Sequence, residues 1–379
     1  MLRAYLFILG LLTLLPLPAF SANNLVIVTL DGVRWQEVFR GIDESLIQPN
    51  TVSQPDALKQ DFTGASTNEK RRKLMPFLWQ TLQASGTIIG NQDKGSVMQV
   101  TNPWYFSYPG YNELITGQVD NAIDSNDKVP NPNVSFLEWL QPQPGFNKPF
   151  GVFASWDVFP AIFNRDRSGL HINAGFESAA GDSPSIALLN TLQHQIPSPW
   201  DTVRLDAFTH HFAINHIKTH QPRVMYISLG ESDDFAHDGN YAQYIRAIHR
   251  ADARISELWD TLQSMDVYKN NTALIITTDH GRGSTLQDWQ HHSSRQAILK
   301  KYPEMAEQAP DGIVGSQNIW LAAVGADIAG HGELNNTDTT YTLSQVAATA
   351  LKLLGKQPEQ FRADIHPPIE ILLTTGDKP

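Results

Sequence analysis

Four long apolar runs constrain this chain most. Leu25–Leu30, Val224–Leu229, Ala273–Thr278 and Ile319–Val324 carry almost no charged or strongly polar side chain. That is the pattern of strands buried on both faces of a parallel sheet. Gly151-Val152-Phe153-Ala154 is a weaker fifth run. Helical spacing lies between them: Tyr241, Tyr244, Ile245, Ile248, Ile255, Leu258, Trp259 and Leu262 form one apolar stripe, and Leu74–Leu82 and Leu343–Leu354 are similar. Strands alternating with helices predict an α/β fold, a three-layer sandwich with a mostly parallel central sheet and helices on both faces. The polar segments around 42–70, 120–135 and 160–185 read as loops or insertions within one domain of 22–379. In such a sheet ligands bind beyond the carboxyl ends of the strands.

The first 21 residues read differently. Arg3, an apolar stretch from Ala4 to about Pro18, and Ala19-Phe20-Ser21 make a secretory signal peptide over 1–21, cleaved after Ser21. The stretch is short for a membrane span and contains Pro16 and Pro18. No later run approaches spanning length, so the expected location is periplasmic or secreted. The chain has no cysteine, which excludes disulfides and thiolate ligands and favours a bacterial periplasm over a eukaryotic secretory pathway. Any metal must be held by His, Asp, Glu or hydroxyl groups. A net charge of −11 gives no basic surface for nucleic acid.

The strand ends carry the chemistry. The first run leads to Asp31-Gly32, the run at 224–229 to Glu231-Ser232-Asp233-Asp234-Phe235-Ala236-His237, and the run at 273–278 to Asp279-His280-Gly281. Carboxylates gathered on one edge would repel one another unless cations lay between them. Mixed Asp and His ligands without thiolate suit zinc, manganese or iron. If the segment after 230 is helical, Asp233 and His237 share one face and can grip one ion.

Together these pieces resemble the alkaline phosphatase superfamily, in its nucleotide pyrophosphatase/phosphodiesterase and phosphoglycerate mutase-like branch. The resemblance rests on Val28-Thr29-Leu30-Asp31-Gly32, the segment Ser107 to Gly117, Asp233-Asp234-Phe235-Ala236-His237 and the segment Thr277 to Gly283, in that order. It implies that Ser107 is the nucleophile, at the start of a helix in a Ser-x-Pro context. It implies that Asp31, Asp279, His280 and the Ser107 oxygen hold one metal ion, and that Asp233, His237 and a further histidine hold the other. His292 is preferred for that last place, with His291 and His331 as the alternatives. Two divalent ions are expected, zinc first and manganese second, acting on a small phosphate ester through a covalent phosphoseryl intermediate. The amides opening the Ser107 helix are expected to favour the incoming anion. Rival readings are a sulfatase-like sulfuric ester hydrolase, a phosphoglycerate mutase-like phosphotransferase, and a non-catalytic binding protein on the same scaffold.

Some residues depart from the pattern or compete with it. Tyr111 stands where sulfatases of this superfamily carry an arginine. Arg282 is a candidate for contact with substrate, or for pairing with a carboxylate. Asn112 and Glu113 are expected either to orient the nucleophile or to lie on the helix surface. Trp104, Tyr105 and Tyr108 fit core packing better than stacking on a substrate. His210, His211, His216 and His220 read as a solvated helix face, since Ile217 replaces the Glu that a zinc-protease motif requires.

Overall fold

The computed structural model describes residues 22–374 apart from 147, 149 and 182. The segment 1–21, expected to be a signal peptide, lies outside the described residues. Eleven strands are present among the described residues: β1 (Asn24–Leu30), β2 (Thr87–Ile89), β3 (Val97–Gln99), β4 (Gly151–Ala154), β5 (His171–Ala174), β6 (Val224–Leu229), β7 (Thr272–Thr277), β8 (Asn318–Ile319), β9 (Leu321–Gly325), β10 (Gly332–Glu333) and β11 (Thr340–Thr342). Eight of them form one sheet in the order β10-β2-β9-β7-β1-β6-β4-β5. β7, β1, β6, β4 and β5 run parallel. β1 sits between β6 and β7, in register with both: Val28 pairs with Ile227 on one side and Ile276 on the other.

The period of two along β1 divides the core. Val26, Val28 and Leu30 face one apolar cluster, with Leu274 and Ile276 of β7 and the stripe Tyr244, Ile248, Ile255 and Leu262. Leu25 and Ile27 face a second cluster with Ala273, Ile275, Tyr111, Leu114 and Leu351. Both sheet faces are therefore covered, which is why the central strands lack polar alternation.

Five helices matter for the site. These are α1 (Ser107–Thr116), α2 (Asp206–His220), α3 (Glu231–His237), α4 (Tyr241–Ser264) and α5 (Gln345–Leu353). The stripe from Tyr241 to Leu262 lies on α4, and Asp233 and His237 share the single helix α3.

Three sequence expectations change. The run at 319–324 is not another parallel strand: β9 pairs antiparallel with β7 and β2. It is also broken at Trp320, so that β8 joins β3 and β11 in a separate sheet. The segments 42–70 and 160–185 are not plain loops. The first contains helices Pro55–Phe62 and Thr67–Leu74, and the second contains β5 and two short helices. The helical run from Leu74 to Leu82 is interrupted at Met75, the residue before Pro76: helix Thr67–Leu74 ends there and the wider turn Phe77–Leu82 follows.

Candidate metal centre and nucleophile

The ends of β7, β1 and β6 lie side by side, and each delivers its acidic residue to the same edge. Asp31 and Asp279 are buried. Tyr111 donates to Asp31 Oδ2 at 2.8 Å, and the amide of Gly32 donates to Asp279 Oδ1 at 3.1 Å. The other oxygen of each, Asp31 Oδ1 and Asp279 Oδ2, is buried with no hydrogen-bond partner. A buried carboxylate oxygen without a donor is costly and calls for a counter-charge. Both orphaned oxygens face His280 Nε2, at 3.5 and 3.4 Å. His280 Nδ1 lies 2.9 Å from the carbonyl of Gly281. A carbonyl can only accept, so Nδ1 carries the proton and Nε2 presents its lone pair. Two oxygens and one nitrogen thus converge, a donor set that fits a divalent cation.

Ser107 completes this corner. Its Oγ lies 3.2 Å from His280 Nε2, at the first position of α1. Helix α1 reaches this place because residue 110 is glycine: a Cβ there would stand 2.3 Å from the carbonyl oxygen of Asp279. The expected amide cradle is only partly present. The Tyr108 N–H is taken by Asn126 Oδ1 at 3.0 Å, Pro109 has none, and the Gly110 N–H bonds Phe106. At most the amide of Ser107 and the axial dipole remain for an anion.

A second cluster adjoins the first. His237 Nε2 lies 3.3 Å from Asp233 Oδ2 and 3.1 Å from His292 Nε2. His292 donates from Nδ1 to the carbonyl of Tyr105 at 2.7 Å, which leaves its Nε2 lone pair facing inward. Its ring stacks on that of His280 with centroids 3.7 Å apart, so the two clusters share a wall. Burial, followed by the nearby His280, pushes the His292 imidazole well below its usual range, keeping it neutral and able to ligate. His237 is the open side, with a side chain 42% exposed.

Of the three histidines weighed for the last ligand place, the structure brings His292 to the cluster. His291 instead lines a cavity with Thr285 and Met305. His331 lies beside edge strand β10, its amide bonded to Thr87.

The loop before Ser107 is held by Glu113. This buried carboxylate accepts from the amides of Thr101, Asn102 and Ser344 and from the Thr101 hydroxyl. Asn102 Oδ1 in turn accepts the amide of Tyr105 at 2.9 Å. Tyr105 has a positive φ of 59°, a strained conformation for a tyrosine, and its carbonyl is the one that orients His292. Glu113 is thus neither surface nor in contact with the nucleophile, and Asn112 bonds Gln118, Asn131 and Asn133. Trp104 packs with Phe106 and Ala297, and Tyr108 donates to the Val129 carbonyl at 2.7 Å.

The histidine-rich helix corrects the expectation of a solvated face for two of its four histidines: His211 and His220 are exposed, but His210 and His216 are buried. His216 stacks between His171 and His220, and His210 bonds Glu257 at 2.9 Å.

Residues 205–357 match the family model described as the Metalloenzyme superfamily, a span that contains Asp233, His237, Asp279, His280 and His292. Among solved structures, alkaline phosphatase PafA superposes with a TM-score of 0.58 at 11% identity, covering 93% of this chain and 99% of that one. The chain shares its fold with this alkaline phosphatase. The same alkaline phosphatase-like architecture appears in murine ectonucleotide pyrophosphatase/phosphodiesterase 5 in complex with AMP, with a TM-score of 0.52, 12% identity, and coverage of 93% and 100%. It appears too in the lipoteichoic acid synthase LtaP from Listeria monocytogenes, with a TM-score of 0.52, 13% identity, and coverage of 89% and 73%. Among curated proteins, none matches the sequence significantly.

Proposed function

We propose that this protein is an exported, metal-dependent hydrolase of small phosphate esters, with Ser107 as nucleophile. The observation that carries the reading is the position of Ser107 Oγ, 3.2 Å from His280 Nε2 and beside the two orphaned oxygens of Asp31 and Asp279. The residues fit two divalent ions, zinc before manganese: Asp31, Asp279, His280 and the Ser107 oxygen for one, Asp233, His237 and His292 for the other. Such ions would offset the carboxylate charge, lower the pKa of the seryl hydroxyl and stabilise charge on the phosphoryl oxygens.

The chain's own groups do the rest. Ser107 Oγ attacks phosphorus as the bond to the leaving alcohol breaks; Ser107 gives up its hydroxyl proton to solvent, and the alcohol departs with one taken from solvent. Water then attacks the phosphoseryl group, releasing phosphate or a monoester and restoring the hydroxyl. Helix α1 aims Ser107, and its dipole favours the anion at its start. The exposed edge of His237 leaves that side open to the leaving group. The AMP bound to the murine phosphodiesterase supports a phosphate ester as the class of substrate. Among the described residues no helix is long and apolar enough to cross a membrane, and export through cleavage after Ser21 is part of the proposal.

Purified protein assayed with bis-p-nitrophenyl phosphate, p-nitrophenyl phosphate and p-nitrophenyl sulfate tests it. Cleavage of a phosphate ester, lost with Ser107→Ala and with chelator and restored by zinc or manganese, is expected. Cleavage of the sulfate alone would overturn the phosphate reading, and turnover unaffected by Ser107→Ala would overturn the nucleophile. A mature mass beginning at Ala22 in the exported fraction checks the location.

A further inference from the structure

Arg282 follows directly after the metal-binding candidates and is enclosed, with 1% of its surface exposed. Its Nε donates to the carbonyl of Gly32 at 3.0 Å, and one terminal nitrogen donates to the carbonyl of Gln290 at 2.6 Å. The other terminal nitrogen donates to the carbonyl of Asp233 at 3.2 Å and to its Oδ1. Arg34 returns the exchange, donating to the carbonyl of Gly283 at 2.9 Å. One guanidinium therefore ties the loop after β1, the start of α3 and the loop that carries His292 to its own loop. Residue 32 must be small for this: a Cβ there would stand 2.7 Å from Arg282 Nε and 2.8 Å from Asp233 Oδ1. A group that clamps substrate needs donors facing the ligand, and these are engaged by protein.

We propose that Arg282 is a positioning residue that makes Asp233 a one-oxygen ligand of the second metal position. The guanidinium occupies Oδ1, while Oδ2 faces His237 Nε2. Oδ1 stands between the two clusters, 3.8 Å from His280 Nε2 and 4.0 Å from His292 Nε2. Arg282 therefore keeps Asp233 from turning toward the first ion and assigns it to the second. Only a planar fork serves three carbonyls and a carboxylate at once; an ammonium at this place supplies charge without that geometry. The inference rests on the two-ion reading above.

Equilibrium dialysis of full-length mature protein against zinc, with a competing chelator and ions counted per chain, tests it on wild type, Arg282→Met and Arg282→Lys. Wild type is expected to hold two ions. Arg282→Met is expected to keep one at wild-type affinity and to hold the other about 10–100-fold more weakly. Arg282→Lys is expected to recover only part of that loss, and it carries the same selective signature should the Met variant fail to fold. Both ions bound as in wild type, or both weakened together, would overturn the positioning role. No ion bound by wild type would instead remove the metal reading on which it stands.

Discussion

Tyr111 donates its hydroxyl to Asp31 Oδ2 at 2.8 Å from within the helix that Ser107 opens. Ser107, the proposed nucleophile, and the support of the first carboxylate thus sit one turn apart on a single element. Burial, followed by the charges of Asp279 and Asp31, pushes the Tyr111 phenol far above its usual range, so it remains a donor. Its occupation of Asp31 Oδ2 directs Oδ1 toward His280.

Tyr111→Phe removes that donor and leaves the ring packed. The expected result is a first-site affinity lowered by about 10–100-fold, as for other partners that orient metal ligands. Chelator competition measures it, and an unchanged affinity would show that Asp31 is held by its burial alone.

The metal-free centre should respond to pH. Burial, with Asp279 alongside, pushes the Asp31 carboxyl up to about 8, and burial pushes Asp279 up to about 7. In the unfolded chain both ionise near the ordinary carboxylate value of about 4. The folded state therefore binds more protons than the unfolded one across this window, and its stability falls as pH rises through about 7 to 8. Above about pH 7.5 histidines are largely neutral in the unfolded chain as well, which isolates the carboxyls, Asp31 above all. With chelator, the Tm is expected to decline between about pH 7.5 and 8.5, whereas zinc displaces the protons and flattens the decline. Parallel Tm curves with and without zinc would contradict this.

Glu113→Gln places an amide NH2 among the donors of Thr101, Asn102 and Ser344. A loss of about 2–3 kcal/mol is expected, from charge-assisted bonds weakened and a donor left opposed. The urea midpoint reads this loss. Because Asn102 and Tyr105 lead from Glu113 to His292, weaker binding of the second ion should accompany it; unchanged binding would break that chain of contacts.

Gly110→Ala drives a Cβ into the carbonyl of Asp279, within 2.3 Å. Overpacking of this kind costs about 1–3 kcal/mol, and displacement of α1 should lower kcat at saturating zinc. A variant with wild-type turnover would mean that helix and strand end can separate without moving Ser107.

Much of the fold was legible because burial leaves a periodic trace. The runs at 25–30, 224–229 and 273–278 fall within or overlap β1, β6 and β7, and the stripe from Tyr241 to Leu262 lies on α4. The helix Thr67–Leu74 had a signal that the reading of 42–70 as loop passed over: Ser66 and Glu69 form a capping pair, with the Glu69 amide bonded to Ser66 Oγ at 3.2 Å. β5 was missed because His171 and Asn173 leave it no apolar run, whereas β4, equally short, is apolar throughout.

Sequence alone determined the alternation of strands and helices and the residue types at their ends, since hydropathy records which faces are buried and the side chains name the available ligands. Tertiary structure decided the reversed direction of β9, the placing of His292 and not its neighbour His291 beside His237 and Asp233, and the engagement of Arg282 with Asp233. Those are matters of which distant segments become neighbours and which way a side chain points, and hydropathy is the same for either strand direction and either histidine.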